Sequence, residues 1–332
     1  MQITSSSSRL SAYAATLALV LLASSAPAVT RLSLTQSLGA VDLVLLRCGI
    51  AGLLFLPFLL SHWSRLPRRL VLVGMGLAFL HGWGMHLTAI AGLQFAPAGH
   101  ASALGPGLVP VWVMLWRKLL HRASPDKPQA LGLSLIALGA LVLVGYSSWA
   151  IFQSQMFIGD LLFMLSSCLA AAYLVYVQQH AVNPMQATAL VAVYSGVVGL
   201  VLLVAWPVPS AIWTAPVAEV VLQAAFQGVG LGGLAVLFAS YATLRLGSQR
   251  LAVFMAAIPI LSLFFGRAVA GDGIHPYEAT AAILVSTGIA IAGIWGRAGS
   301  PGASQARPAD PPQGMPIPLV GRMGTRNDSI NS

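Results

Sequence analysis

Charged residues are scarce in this sequence of 332 residues: they make up 8% of the chain, whereas hydrophobic residues make up 57%. A soluble domain carries about a quarter charged residues. The mean hydropathy of +0.83 points the same way. The composition excludes an ordinary soluble protein and predicts that lipid covers most of the chain, so a bilayer is an expected partner.

Cysteine and acidic residues are also rare. The two cysteines, Cys48 and Cys168, each lie in an apolar segment, where packing accounts for them. The net charge of +9 belongs to short connections between apolar runs. Binding to nucleic acid would need those basic residues gathered on one soluble face, so no nucleic-acid partner is expected.

Enzyme motifs are missing as well. His81 and His86 are five residues apart with no glutamate between them, so they do not form H-E-x-x-H, and no G-x-S-x-G occurs. The sequence therefore predicts no catalytic residue, no metal site and no cofactor. An intramembrane hydrolase is the least favoured alternative, behind a membrane receptor or an assembly subunit.

What the sequence does contain is ten apolar runs, each long enough to cross a bilayer as a helix of about 20 residues. They lie near 12–30, 41–60, 70–90, 98–117, 129–147, 157–179, 185–206, 217–240, 248–268 and 277–296. We number them as spans one to ten. Residues 1–10 form a short N-terminal segment, and residues 297–332, rich in Pro, Gly, Ala and Ser, are expected to be a disordered tail.

The first span has an alternative interpretation. Arg9, the apolar run from Leu10 to Ala23 and the small residues at 26–28 are typical of a signal peptide with its cleavage site. Cleavage would leave nine spans.

An internal repeat favours ten. When the sequence is shifted against itself by 149 residues, Pro110 meets Pro259 and Gly139 meets Gly288. Spans one to five then coincide with spans six to ten, which predicts two repeats at 11–148 and 157–296. Because each repeat has an odd number of spans, the second enters the membrane from the opposite side.

The basic residues predict the orientation. With the N-terminus in the cytoplasm, only Arg31 and Arg267 lie outside and Arg47 lies within a span. The other fourteen of the seventeen basic residues lie inside: Arg9, Arg65, Arg68, Arg69, Arg117, Lys118, Arg122, Lys127, Arg245, Arg250, Arg297, Arg307, Arg322 and Arg326. The protein is expected in the inner (plasma) membrane. The positive-inside rule predicts that both of its termini lie in the cytoplasm.

Several residues carry a family resemblance. Span six opens with Gly159 and Asp160, spans four and nine carry central prolines, and Gly271 precedes Asp272 after span nine. With ten spans in two inverted halves, the chain resembles the EamA family of the drug/metabolite transporter superfamily. The resemblance implies an all-α membrane protein that exports an amino acid or another metabolite by alternating access.

Prolines indicate where a site lies. Pro106, Pro110 and Pro259 each leave one carbonyl without its helical partner. In transporters with inverted repeats, interrupted helices at matching positions point to the substrate site. The alternative is that these prolines only bend helices for packing.

Span eight carries a polar stripe. Glu219, Gln223 and Gln227 recur every four residues and share one helix face, which is expected to point into the bundle. There Gln223 and Gln227 either bond a neighbouring helix or line a watery path, and we favour the path. Glu219 fits the first turn of its helix, where a carboxylate is favourable.

Other polar residues interrupt the apolar runs. His81 and His86 in span three are either bonded to carbonyls or able to relay protons, because imidazole titrates near physiological pH. Further candidates for the walls of a substrate cavity are Tyr173, Tyr176, Ser24 and Ser25.

Arg47 is the one basic residue inside a span. Its side chain can reach the interface, bond Asp42 or bond carbonyls freed by proline, and we favour such a structural role. The second alternative is that Arg47 attracts an anionic group of a substrate. The sequence thus predicts a carrier of a small organic molecule. A homo-oligomer of this carrier is also compatible with the sequence.

Overall fold

The structure, a computed structural model, describes residues 6–149, 155–205 and 210–295. Every regular element in these ranges is a helix, and ten helical segments are long and apolar enough to cross a membrane. They are Leu10–Leu34, Ala40–Arg65, Arg68–Gly92, Ala98–His121, Lys127–Trp149, Met156–Gln179, Pro184–Val204, Val217–Leu246, Ser248–Ala270 and Pro276–Ile294. The predicted all-α fold with ten spans is confirmed. Residues 297–332, where a tail was expected, lie outside the described ranges.

Three spans are interrupted near their middle. Span three consists of Arg68–His81 and Trp83–Gly92, which meet at Gly82. Span four consists of Ala98–Leu104, a short 3₁₀ turn at Pro106–Leu108, and Val109–His121.

Span nine is broken between Ser248–Met255 and Ile258–Phe265. Pro106 therefore lies at a break, and Pro110 and Pro259 each lie in the first turn after one. Proline alone does not decide this, because Pro27 and Pro57 lie inside continuous helices.

Span eight contains a π-helical segment. It begins as Val217–Gln223, widens over Ala224–Leu234 and ends as Ala235–Leu246. Such wide turns displace the side chains that follow them, and they are frequent at functional sites.

The packing of the spans repeats between the halves. Span six packs against spans three and four, and span one packs in the same way against spans eight and nine. Spans two and seven pack together, as do spans five and ten. If spans one to five are exchanged with spans six to ten, each of these contacts corresponds to a contact that is also present. This is expected for two equivalent five-span repeats.

Glycine permits the closest of these contacts. Gly132 in span five lies against Gly288 in span ten, and a Cβ atom added at Gly288 would lie 2.5 Å from the carbonyl oxygen of Gly132. The small side chains let two backbones touch, as in other membrane helix pairs.

Span one is an integral part of this bundle. Its helix, Ser6–Leu34, is buried at Ala12, Leu19 and Ala28 and packs against spans eight and nine of the second half. The ten-span interpretation of the sequence is favoured over the cleaved signal peptide.

Candidate functional site

A cavity of about 370 Å³ lies between the two repeats, and we name it the central cavity. Spans one, two, three, four, six and eight line it, so both repeats contribute. Most of its wall is apolar, with Phe163, Leu231 and several alanines. Its polar lining residues are Thr30, Arg47, His81, His86, Ser166 and Ser167. The size and mostly apolar wall are those of a small-molecule site.

A second cavity of about 310 Å³ adjoins the first between spans two, three, seven and eight, and we name it the side cavity. Arg47, His81, Met85, His86 and Leu231 line both cavities. Three of the predicted site residues therefore lie together where the two cavities meet.

Arg47 has few hydrogen-bond partners. Its Nη1 donates to Oε1 of Gln227 over a long 3.4 Å, and its buried Nε has no partner. The described contacts of Arg47 include neither Asp42 nor a carbonyl freed by proline, and its structural role stays a prediction. Asp42 instead accepts bonds from the backbone N–H groups of Gly39 and Ala211 and from the hydroxyl of Ser210, because it lies in the first turn of its own helix.

His81 and His86 reach the same place from the broken span three. The His81 ring stacks on Tyr173 with centroids 4.3 Å apart and planes 2° apart. The Nδ1 atoms of both histidines are buried and have no hydrogen-bond partner. The expectation that carbonyls satisfy them is therefore not met at Nδ1.

Gln223 and Gln227 point into the bundle, with 1% and 0% of their surface exposed. Both donate to span one: Gln223 to the carbonyl of Val29 and the hydroxyl of Ser33, and Gln227 to the hydroxyl of Thr30 at 2.7 Å. Neither lines the central or the side cavity. The geometry favours the interhelical bond, and a place on the substrate path stays a prediction for both.

The remaining predicted residues are spread out. Ser24 and Ser25 bond carbonyls of their own helix, and Tyr176 stacks on His180. Tyr173 stacks on His81 and bonds Thr188, both of which line the side cavity. None of these four lines the two cavities.

One end of the bundle is closed by bonds between the halves. We name it the sealed end; it carries the connections at 35–39, 93–97 and 271–275. Here Arg31 pairs with Asp272 at 3.0 Å and donates to the carbonyls of Leu93 and Ala96. Asp272 also accepts from the backbone N–H of Ala98, where span four begins.

A buried polar cluster lies just beneath, at the ends of spans four, five, six and ten. His100 Nδ1 lies 2.7 Å from Asp160, which also accepts from Ser147 at 2.6 Å. On the other side His100 Nε2 lies 3.5 Å from Glu278. These four side chains are at most 2% exposed.

Sequence reasoning missed this cluster. It used Asp160 only as part of a family motif and did not consider His100 or Glu278. The available signal was that each lies within the first turns of an apolar span, where ionisable residues are rare and pair with one another.

Toward the opposite end, further cavities follow the central one. Pro106 and Val109 line both the central cavity and a cavity of about 310 Å³ bounded by Pro110, Ser248 and Pro259. A fourth cavity, of about 300 Å³, extends to Arg117 and Gln129. The breaks in spans four and nine thus face the openings between the centre and this end.

Comparisons with known proteins agree with this architecture. The family described as "EamA-like transporter family" matches residues 10–145 and again residues 157–294. A solved structure described only as "Crystal structure of protein" matches with 22% identity and a TM-score of 0.57, over 86% of this chain and 97% of that one, which shows a shared fold. None of the curated proteins matches the chain. Because the family matches each half in turn and together nearly the whole chain, the protein belongs to the EamA-like transporter family and is a multi-pass membrane protein of that transporter family.

Proposed function

We propose that the protein exports a small organic solute, an amino acid or another metabolite, by alternating access. The observation that carries the proposal is the central cavity, which lies between the two repeats and is closed at one end by bonds that cross between them. A carrier needs a site that both halves share, since only then does movement of one half against the other change its exposure.

The arrangement of the bonds supports this mechanism. Arg31 with Asp272, and His100 with Asp160 and Glu278, each join a residue of the first half to the second. At the other end, cavities lie between span four and spans nine and ten, and the described bonds between the halves are those of Ser11 with Tyr241 and of His121 with Gln179, at exposed positions. Loss of the first set of bonds and closure of these cavities would expose the same site to the opposite side.

The distribution of basic residues supports an assignment of the two ends of the bundle to the outside and the cytoplasm. The sealed end carries Arg31 and Arg267, whereas most other basic residues lie in connections at the opposite end or in the termini. By the positive-inside rule, the sealed end faces outward in the inner (plasma) membrane and both termini are cytoplasmic. The conformation described is then the one in which a carrier loads its solute from the cytoplasm.

We also propose that the protein is not an enzyme, since the family is one of transporters. A non-transporting receptor or assembly subunit would show no flux of its own. Its cavity would bind a ligand without moving it.

Two measurements test the proposal. Metabolites that accumulate outside cells with and without the protein are compared to find a candidate solute. Purified protein in liposomes is then assayed for flux of that solute, with protein-free liposomes as the control. Saturable flux that needs the protein is expected, and binding without flux would favour the receptor.

A further inference from the structure

Two arginines in the membrane-spanning bundle differ in how their donors are used. Arg31 makes three short contacts: its Nε pairs with Asp272 and its Nη1 donates to two carbonyls. This is how an arginine ties helices together. Arg47 has one long bond to an amide and an unpartnered Nε, although a guanidinium carries five N–H donors.

No acidic side chain in the described part of the chain compensates Arg47. None of the described residues that line the central or the side cavity is Asp or Glu, and no described carboxylate lies within 4.0 Å of the guanidinium. Arg47 is half-buried at the cavity wall, and a charge without a partner is costly in a region of low dielectric. Its persistence at a cavity wall indicates that something else supplies the negative charge.

The neighbours of Arg47 offer further polar groups. His81 and His86 line the same two cavities, and each has an Nδ1 atom without a partner. The helix Trp83–Gly92 begins at Gly82, which lines the side cavity, and the N-terminal end of a helix favours negative charge.

We propose that the solute carries an anionic group of the carboxylate type, which binds Arg47 where the two cavities meet. Its remainder is apolar and occupies the central cavity against Phe163, Ile90 and Leu231. The planar fork of a guanidinium matches a carboxylate with two parallel bonds. This inference rests on the proposed carrier function and names the class of its solute.

The first test compares acids with their uncharged amides on the wild-type protein. Thermal melting of the protein in detergent is measured with 4-methylpentanoate, 3-phenylpropanoate, L-leucine and L-phenylalanine, and with the primary amide of each. We expect at least one acid to raise the melting temperature while its amide does not. Binding of the simple acids would show that the carboxylate suffices, and binding of the amino acids alone would show that the ammonium group is needed as well.

Three results would overturn the inference: no acid of the panel binds, an amide binds as tightly as its acid, or inorganic chloride or phosphate has the same effect as the best acid. All three results come from measurements on the wild-type protein. The test therefore stands even if a variant at position 47 fails to fold.

The second test removes the charge. Arg47→Gln is expected to weaken binding of the best acid by at least about tenfold, and Arg47→Lys is expected to retain part of it. Arg250→Gln, the same change at an exposed arginine, serves as the matched control. Unchanged affinity in Arg47→Gln would contradict the proposal.

Flux in liposomes separates the two proposals. If an acid binds at Arg47 and is not transported, the carrier function fails and the anion site stands. If only a neutral or cationic solute is transported, the carrier function stands and the anion site fails.

Discussion

Gln223 and Gln227 make the same kind of bond to span one but have different neighbours. Only Gln227 also touches Arg47. We expect Gln223→Leu and Gln227→Leu to cost similar stability, about 0.6 kcal/mol for each interhelical bond lost. Only Gln227→Leu is expected to raise the KM for the transported solute, because the guanidinium of Arg47 loses the bond that positions it. Thermal melting and flux in liposomes measure the two effects, and equal KM values in both variants would contradict the positioning role.

Labelling of single cysteines tests which side chains meet water. In a background with Cys48→Ala and Cys168→Ala, Met85→Cys lies in the wall of both cavities, whereas Gln227→Cys does not. A water-soluble thiol reagent is expected to modify position 85 faster than position 227. Equal rates of modification at the two positions would instead support the prediction from the sequence that Gln227 lines the substrate path.

Helix pairs in this protein depend on glycine. An added methyl group at Gly288 meets backbone atoms of span five, whereas one at Gly145 meets nothing within 4 Å. We expect Gly288→Ala to destabilise the protein by about 1–3 kcal/mol, as overpacking does elsewhere, and Gly145→Ala to have little effect. Thermal melting in one detergent compares them, and a stable Gly288→Ala would show that spans five and ten can move apart without cost.

For the whole molecule, alternating access requires the sealed end to open. We expect a thiol cross-linker between Arg31→Cys and Asp272→Cys to stop flux, because these positions lie in different halves and face each other. The cross-link is made in the background without native cysteines and is reversed by reductant. Flux of the reduced double variant and of the Arg31→Cys variant treated with cross-linker provides the controls. Full flux in the cross-linked protein would rule out opening at this end.

The orientation of the molecule has its own test. Reporter fusions at Met315 and within residues 180–185 are expected to report the cytoplasm, because both follow an even number of spans. A fusion in the connection at 271–275 serves as the external control. An external signal from Met315 would contradict the ten-span topology with cytoplasmic termini.

The number of spans and the two repeats follow from the sequence, because both depend on local properties. A run of about 20 apolar residues must form a helix in lipid, whose backbone bonds are internal. Pro110 and Pro259 fall at matching places when the sequence is aligned with itself. Neither conclusion needs knowledge of which helix lies beside which.

The partners of the polar residues were decided only by the tertiary structure. Periodicity showed that Gln223 and Gln227 share a face, and burial of that face was predictable, but span one as the neighbour was not. Arg47 was paired with Asp42 by nearness in sequence, whereas its contact lies 180 residues away. In a helix that is apolar nearly all round, hydropathy marks no single inner face, so packing between distant spans determines which side chains meet.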